Sequence, residues 1–97
     1  MVVGILQITL DIPSAYSLKE KRKVVKSLIE RTRHRFNVAV AEVADNDIYN
    51  RARIGMSAVA NDAAVANSIL DKALDALESA AAGRADVIDT QLELVHY

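Results

Sequence analysis

Eight of the twelve lysine and arginine residues lie in one stretch of seventeen residues, from Lys19 to Arg35. The stretch contains only two acids, Glu20 and Glu30, so its formal charge is +6, whereas the rest of the chain carries eleven acids and four bases, net −7. Such side chains bind phosphate oxygens through charge-assisted hydrogen bonds. A helix needs only a solvated face to fold. Such a strong segregation of positive charge therefore indicates an anion-binding surface.

The bases that we expect to contact an anion lie mostly in the first turns of this stretch. Their positive charge points to an anionic partner, but by itself it names neither a reaction nor a ligand. A helix start in the same place adds free backbone N–H groups and the positive end of the helix dipole. The candidate anion- or RNA-binding residues are Lys19, Lys21, Arg22, Lys23, Lys26, Arg33 and Arg51.

Several of these features have a structural alternative. Lys21 falls within the apolar arc of the predicted helix, where its stem either snorkels at the helix end or its amino group pairs with Glu42 on the following strand. Tyr49 either packs under a hairpin or offers its ring as a stacking face for a base. The basic helix itself has the alternative of being only a solvated surface.

Other site chemistry has little support in the sequence. The chain has no cysteine, which excludes disulfides, thiolate metal sites and thiol nucleophiles. His34 and His96 are far apart, and no carboxylate spacing makes either a metal ligand. No nucleophile–base pair is visible. We therefore predict no catalytic residue, no metal and no cofactor, and a protein that is not an enzyme.

Length and composition predict one globular domain, residues 1–97. The chain is 52% hydrophobic and 26% charged, which fits a folded protein with a single modest core. No apolar run is long enough to span a membrane. The N-terminal segment MVVGILQITLDIP lacks a basic start and has polar residues at alternate positions, so it predicts a strand rather than a signal peptide. We expect a cytoplasmic protein with no membrane partner.

Hydrophobic periodicity and capping signals define the elements that position the bases. Ser17 and Glu20 have the spacing of a capping box, which starts a helix at Leu18. Asn61 or Asp62 caps a second helix, and Gly83 suits the position after its end. The predicted elements are strand 2–12, helix 18 to about 35, strand 38–44, strand 51–60, helix to about 82 and strand 86–96.

The order β-α-β-β-α-β predicts an α+β, ferredoxin-like domain with two helices on one face of a four-stranded antiparallel sheet. Right-handed crossovers give the strand order 4-1-3-2. In the last strand we expect Ile88, Leu92 and Leu94 to face the helices, and in the second helix we expect Val65 to lie on the apolar side. The other sheet face is apolar at one end, with Val3, Ile5, Ala39, Ala41, Val43, Val59 and Val95 at outward positions.

The segment SLKEKRKVVKSLIERTRHRFNVAVAEV, residues 17–43, resembles the signature of the YlxP-like proteins, a small bacterial family of unknown function. The later segments DIYNRA, Gly55 and Asn61-Asp62 are similar at matching spacing, so the resemblance covers nearly the whole chain. It implies a ferredoxin-like fold and no assigned catalytic residue. Genes of this family often lie near those for translation initiation and ribosome maturation factors, which implies a connection with RNA or the ribosome.

The favoured hypothesis is a non-catalytic nucleic-acid-binding protein whose partner is RNA or a ribosomal subunit. Contact with phosphate would come from the basic helix and the loops at its start. The alternative is a homo-oligomeric interaction or assembly module that uses the apolar sheet face, with the basic helix only solvated. A homodimer is compatible with both.

Overall fold

The computed structural model describes all 97 residues, Met1–Tyr97. Six elements follow one another in the predicted order β-α-β-β-α-β, each within one or two residues of its predicted bounds. They are β1 (Val2–Asp11), α1 (Leu18–Arg35), β2 (Ala39–Ala44), β3 (Arg51–Ala60), α2 (Ala63–Ala81) and β4 (Asp86–His96).

The four strands form one antiparallel sheet in the order β2-β3-β1-β4, which is the predicted order counted from the other edge. The central pair, β1 and β3, is in register from Val2 opposite Ala60 to Asp11 opposite Arg51. Both helices pack on one face, and the ferredoxin-like fold is confirmed. The opposite sheet face, which we call the outer face, is covered by no element of the chain.

Local signals explain where α1 begins and ends. The Ser17 hydroxyl accepts a hydrogen bond from the Glu20 amide at 3.2 Å, as the capping box predicts. The reciprocal bond differs, because Glu20 Oε2 accepts from the amide of Tyr16 at 3.2 Å rather than from that of Ser17. At the other end Phe36 turns to extended backbone and donates its amide to Thr32 O. The helix therefore presents its bases on an unbroken scaffold of eighteen residues.

The second helix begins and ends at the predicted signals. Asp62 Oδ1 accepts the Val65 amide at 2.9 Å and caps the first turn of α2. Gly83 follows the last turn with φ +81°, a left-handed conformation that glycine adopts without the steric penalty of a Cβ. Val65 itself is 44% exposed, so its predicted place on the apolar side is wrong. Val65 lies in the first turn of α2, near one end of the sheet, where few side chains are available to pack against it.

The core lies between the inner sheet face and the two helices. Its strand residues follow the period of two and its helix residues the period of 3.6, as in any two-layer α+β domain. The largest fully buried apolar side chains are Ile8, Leu10, Ile12, Leu28, Ile54, Met56, Leu70 and Leu77.

The last strand departs from the predicted pattern at Ile88. A register shift occurs where Thr9 pairs with Asp89 and Leu10 with Val87, so Ile88 is the extra residue of a bulge. Val87 packs against the core instead, and Ile88 is 53% exposed. The expectation that Ile88 faces the helices is therefore wrong. Leu92 lies opposite the inward-facing Leu6 but stays 48% exposed, because β4 is an edge strand.

Candidate nucleic-acid interface

Seven of the eight bases of α1 are exposed to solvent, and only Lys21 is buried. The buried residues of α1 are Lys21, Val25, Leu28 and Thr32, which recur every three or four positions and form its inner stripe. The remaining bases therefore cover the rest of the helix circumference. The exposed bases are Lys19, Arg22, Lys23, Lys26, Arg31, Arg33 and Arg35.

One side of α1 forms an open groove with α2, which we call the basic groove. Its volume is about 870 Å³. The α1 side carries five basic or imidazole side chains and one acid, whereas the α2 side carries only small uncharged residues that leave the groove wide. The lining residues are Lys23, Lys26, Ser27, Glu30, Arg31, Thr32, His34, Arg35, Ala76, Ser79 and Ala80.

Arg84 links α1 and α2 beside this groove. Its Nη2 donates to Ala80 O at 2.8 Å, which satisfies a carbonyl in the last turn of α2, where a cation also suits the helix dipole. Its Nη1 donates to Ser27 Oγ of α1 at 3.4 Å, a long and therefore weaker bond. The guanidinium thus connects the end of α2 to the middle of α1, and it helps to set the separation of the groove walls.

The other side of α1 faces the edge strand β2. Arg33 Nη2 donates to Val40 O at 3.0 Å, so this predicted anion-binding base also satisfies one carbonyl of the exposed sheet edge. Arg22 and Lys26 line a shallow depression of about 390 Å³ on the same side, together with Glu30 and Glu42. The two acids make this side less cationic than the basic groove.

Lys21 is fully buried, so the prediction that it contacts an anion is wrong. Its Nζ donates a hydrogen bond to Asp45 O and lies 2.8 Å from Glu42 Oε2. Glu42 Oε2 has no other partner in the chain, so Lys21 alone compensates the charge of this mostly buried carboxylate. Of the two alternatives for Lys21, the structure has the pair with Glu42, and the side chain does not snorkel.

The turn between β2 and β3 is tied to the start of α1 and to the end of β1. Lys21 holds it at Asp45, a non-glycine residue with φ 62°, and the Ile12 amide donates to Asn50 O at 2.9 Å. Tyr49 lies in this turn and is 47% exposed, so part of its ring is open to solvent. Arg51 follows on the outer face opposite Asp11, on the other side of the sheet from α1.

The structure adds groove residues to those predicted from the sequence. Arg31 and Arg35 continue the line of Lys23 and Ser27 at intervals of four residues, a signal that was present in the sequence. The contribution of Ser79 and Arg84 was not visible there, because it depends on how α2 packs beside α1. No group of three histidine, aspartate or glutamate side chains is placed to hold a metal ion. Neither helix is apolar enough over its length to cross a membrane.

Residues 3–92 match the family described as "Protein of unknown function (DUF503)", and the chain therefore belongs to this family. A relative, "Uncharacterized protein YlxP" from Bacillus subtilis (strain 168), is 31% identical over 78 residues, which cover 80% of this chain and 85% of the relative. The predicted resemblance to YlxP-like proteins is confirmed.

Solved structures show the same fold in proteins of unrelated sequence. A de novo designed protein with a ferredoxin fold, LFR1 1, matches with a TM-score of 0.61 at 13% identity, covering all of this chain and 88% of the design. A putative chlorite dismutase, TA0507, matches with a TM-score of 0.59 at 10% identity over 97% of this chain, which spans 44% of that protein. At such identities the likeness shows the fold alone.

Proposed function

We propose that this member of the DUF503 family is a non-catalytic protein of the cytoplasm that binds RNA through the basic groove and the exposed bases beside it. The observation that carries the proposal is the asymmetry of the groove. One wall presents Lys23, Lys26, Arg31 and Arg35, and the other presents only small uncharged side chains. A phosphate backbone can enter such a groove without meeting an acidic wall.

The dimensions of the groove suit a polyanion better than a single small anion. Lys23 and Arg35 are twelve residues apart on one helix, which separates their backbone positions by about 18 Å along the helix axis. Nucleic acid carries a phosphate every few ångströms along each strand, so several phosphates can lie along this distance. An isolated phosphate would reach only one or two of these bases.

The contact proposed here differs from that of a sheet that stacks bases on aromatic residues. The outward positions in the middle of β1 and β3 hold Gln7, Thr9, Gly55 and Ser57, none of which is aromatic. Recognition through α1 would then depend on phosphate and on RNA shape more than on base identity. Tyr49, in the turn between β2 and β3 that Lys21 ties to the start of α1, is a candidate for stacking on a single unpaired base.

RNA is favoured over other polyanions by the gene neighbourhood that the YlxP-like resemblance implies, next to translation initiation and ribosome maturation factors. The specific partner proposed is structured RNA on a ribosomal subunit. Enzyme activity is not part of the proposal, which assigns the basic side chains of the groove to binding.

The test is the salt dependence of binding to a structured RNA, measured by fluorescence anisotropy. A variant with Lys23, Lys26, Arg31 and Arg35 changed to Gln should bind more weakly, and its log–log salt slope should fall by about 0.7–0.9 for each phosphate that the variant no longer neutralises. All four side chains are exposed, so the fold should survive. Unchanged affinity and slope would show that the basic groove is not the RNA surface.

A matched pair of single substitutions separates a local contact from general charge. Arg31→Gln changes the groove, and Arg53→Gln removes the same charge from the outer face, on the other side of the sheet. We expect the first to lower the slope and the second to leave it nearly unchanged. Equal effects would point to non-specific attraction by net charge. Co-sedimentation with ribosomal subunits, with and without RNase, then tests the ribosomal partner.

A further inference from the structure

The outer face is apolar at one end and charged at the other. At the apolar end Val3 pairs with Val59 on one side and with Val95 on the other, and Ile5 continues the patch along β1, with one acid, Glu93, beside it on the edge strand β4. Val59, near the end of the central strand β3, is 62% exposed. Contiguous apolar surface of this kind is typical of a site that another protein covers.

The charged end is divided by sign. Its bases, Arg51 and Arg53, lie on β3, and its acids, Asp11, Asp86 and Asp89, lie on β1 and β4. Arg51 is directly opposite Asp11 in the sheet, yet the only ion pair within the chain is that of Lys21 with Glu42. The charges of the outer face are therefore free to pair with a second molecule, and that molecule needs the opposite arrangement of signs.

We propose that the outer face binds the outer face of a second copy of this chain, about a two-fold axis that runs parallel to the strands between β3 and β1. Such an axis places β3 of one copy over β1 of the other. Arg51 then faces Asp11 of the second copy, twice in each dimer, because a two-fold interface repeats every contact. At the apolar end the same operation places Val59 over Val3.

The shape of the outer face, like its charge, fits this arrangement. Gly55 on β3 forms the floor of a depression of about 340 Å³, rimmed by Val43, Ala41 and Ser57. A Cβ at Gly55 would lie 2.8 Å from Val43 Cγ1, so glycine is what allows Val43 to lean over this strand. Gln7 is exposed on β1 in the same row, and the two-fold places it over the depression of the second copy.

The area is sufficient for a reversible dimer. Three strands of ten or eleven residues and one of six, about 4.8 Å apart with a rise of about 3.4 Å per residue, give a face of roughly 600 Å². Stable protein interfaces bury about 800 Å² on each partner, and weaker ones less. We therefore expect a monomer–dimer equilibrium with a dissociation constant on the order of micromolar. In each copy both helices lie on the sheet face that points away from the interface, so the basic groove stays open. The proposed dimer is therefore independent of the proposed RNA binding.

The first test is the mass of the parent protein in solution by sedimentation velocity across the micromolar range. We expect a concentration-dependent rise from 10.6 kDa toward twice that mass. Val59→Lys places a charge in the apolar end and should weaken association by about tenfold or more. Val65→Lys is the matched control, because Val65 is a similarly exposed valine on α2, outside the outer face, and it should leave association unchanged.

The second test distinguishes the proposed two-fold from other uses of the same face. Arg51→Asp and Asp11→Arg each place like charges opposite one another in a homodimer and should each weaken self-association by about tenfold or more. In a dimer of one Arg51→Asp chain and one Asp11→Arg chain, the two positions again carry opposite charges across the interface. Within each chain, the same two positions still carry like charges. Native mass spectrometry should therefore show the mixed dimer well above the proportion expected from random pairing.

The outcomes decide the proposal in either direction. A parent protein that stays monomeric throughout the micromolar range overturns it, as does a parent dimer that Val59→Lys leaves intact. A mixture of Arg51→Asp and Asp11→Arg without excess mixed dimer overturns the proposed axis. If either charge variant fails to fold by circular dichroism, the comparison of Val59→Lys with Val65→Lys still decides whether the outer face is the interface.

Discussion

Lys21 Nζ lies 2.8 Å from Glu42 Oε2 and also donates to Asp45 O, although Lys21 belongs to the most basic helix of the chain and none of its side chain reaches solvent. The contact joins the first turns of α1 to the end of β2 and to the turn that follows. A buried charge is tolerated only when it is paired and hydrogen-bonded. Lys21 therefore serves the fold, whereas the neighbouring bases of α1 are exposed to solvent.

Replacing Lys21 by methionine should be costly even though the two side chains are similar in length. Lys21→Met leaves the mostly buried Glu42 carboxylate without its cation and Asp45 O without its donor, so we expect a loss of about 3 kcal/mol in the free energy of unfolding. Lys23→Met, on the exposed side of α1, should change it by less than about 0.5 kcal/mol. Urea denaturation measures both.

A double-mutant cycle separates this pair from simple packing. Adding Glu42→Met to Lys21→Met removes the orphaned carboxylate and should recover part of the stability. Equal losses for Lys21→Met and Lys23→Met would contradict the buried position of Lys21.

The positive charge of Lys19 at the start of α1 should lower the free energy of unfolding. Lys19 lies in the first turn, where the helix dipole disfavours a cation, and four residues before Lys23, a like charge. Lys19→Glu reverses both effects and should stabilise the protein by about 0.5–1 kcal/mol, raising the melting temperature by several degrees. If the proposed function is correct, RNA affinity should fall in the same variant. Calorimetry and anisotropy on one sample test both, and a fall in melting temperature would contradict the argument.

Gly83 should be needed for its backbone conformation rather than for space. Its φ is +81°, and a Cβ there would meet no atom within 4 Å. Gly83→Ala should therefore cost about 1 kcal/mol from backbone strain alone. Gly83→Asn should cost less, since asparagine tolerates the left-handed region better. A loss equal for both variants, measured by thermal unfolding, would show that conformation is not the cause.

Arg84 should stabilise the junction of the helices mainly through α2. Arg84→Ala removes the 2.8 Å bond to Ala80 O and the 3.4 Å bond to Ser27 Oγ, and we expect a loss of about 1 kcal/mol. Ser27→Ala should cost less, because it removes only the longer bond. Arg53→Ala serves as the control for an exposed arginine without an ion pair in the chain. A larger loss for Ser27→Ala than for Arg84→Ala would contradict this ranking.

Much of the architecture was predictable because its signals are local. The periods of two and 3.6, the Ser17 and Asp62 caps and Gly83 define the elements within one or two residues. The chain order then leaves few topologies, and the predicted strand order is the one found. The angle of Lys21 on its helix also indicated a possible pairing with Glu42, since that angle follows from position alone.

Other features depended on contacts between distant segments. The exposure of Ile88 comes from a bulge in the pairing of β4 with β1, and register across a sheet edge is not encoded in the alternation of one strand. The basic groove needs the small residues of α2 beside α1, and Arg84 meets Ser27 across 57 positions of sequence.

The sequence thus determined the charge of each side chain and its angle on the helix, but not whether a given lysine is buried. Lys21 and Lys23 are two residues apart with the same side chain, yet one is fully buried and the other lines an open groove. What separates them is whether a carboxylate and a carbonyl from β2 and its following turn lie within reach. That is decided only when the helix packs on the sheet, because desolvating an amino group is tolerated only where partners replace its water.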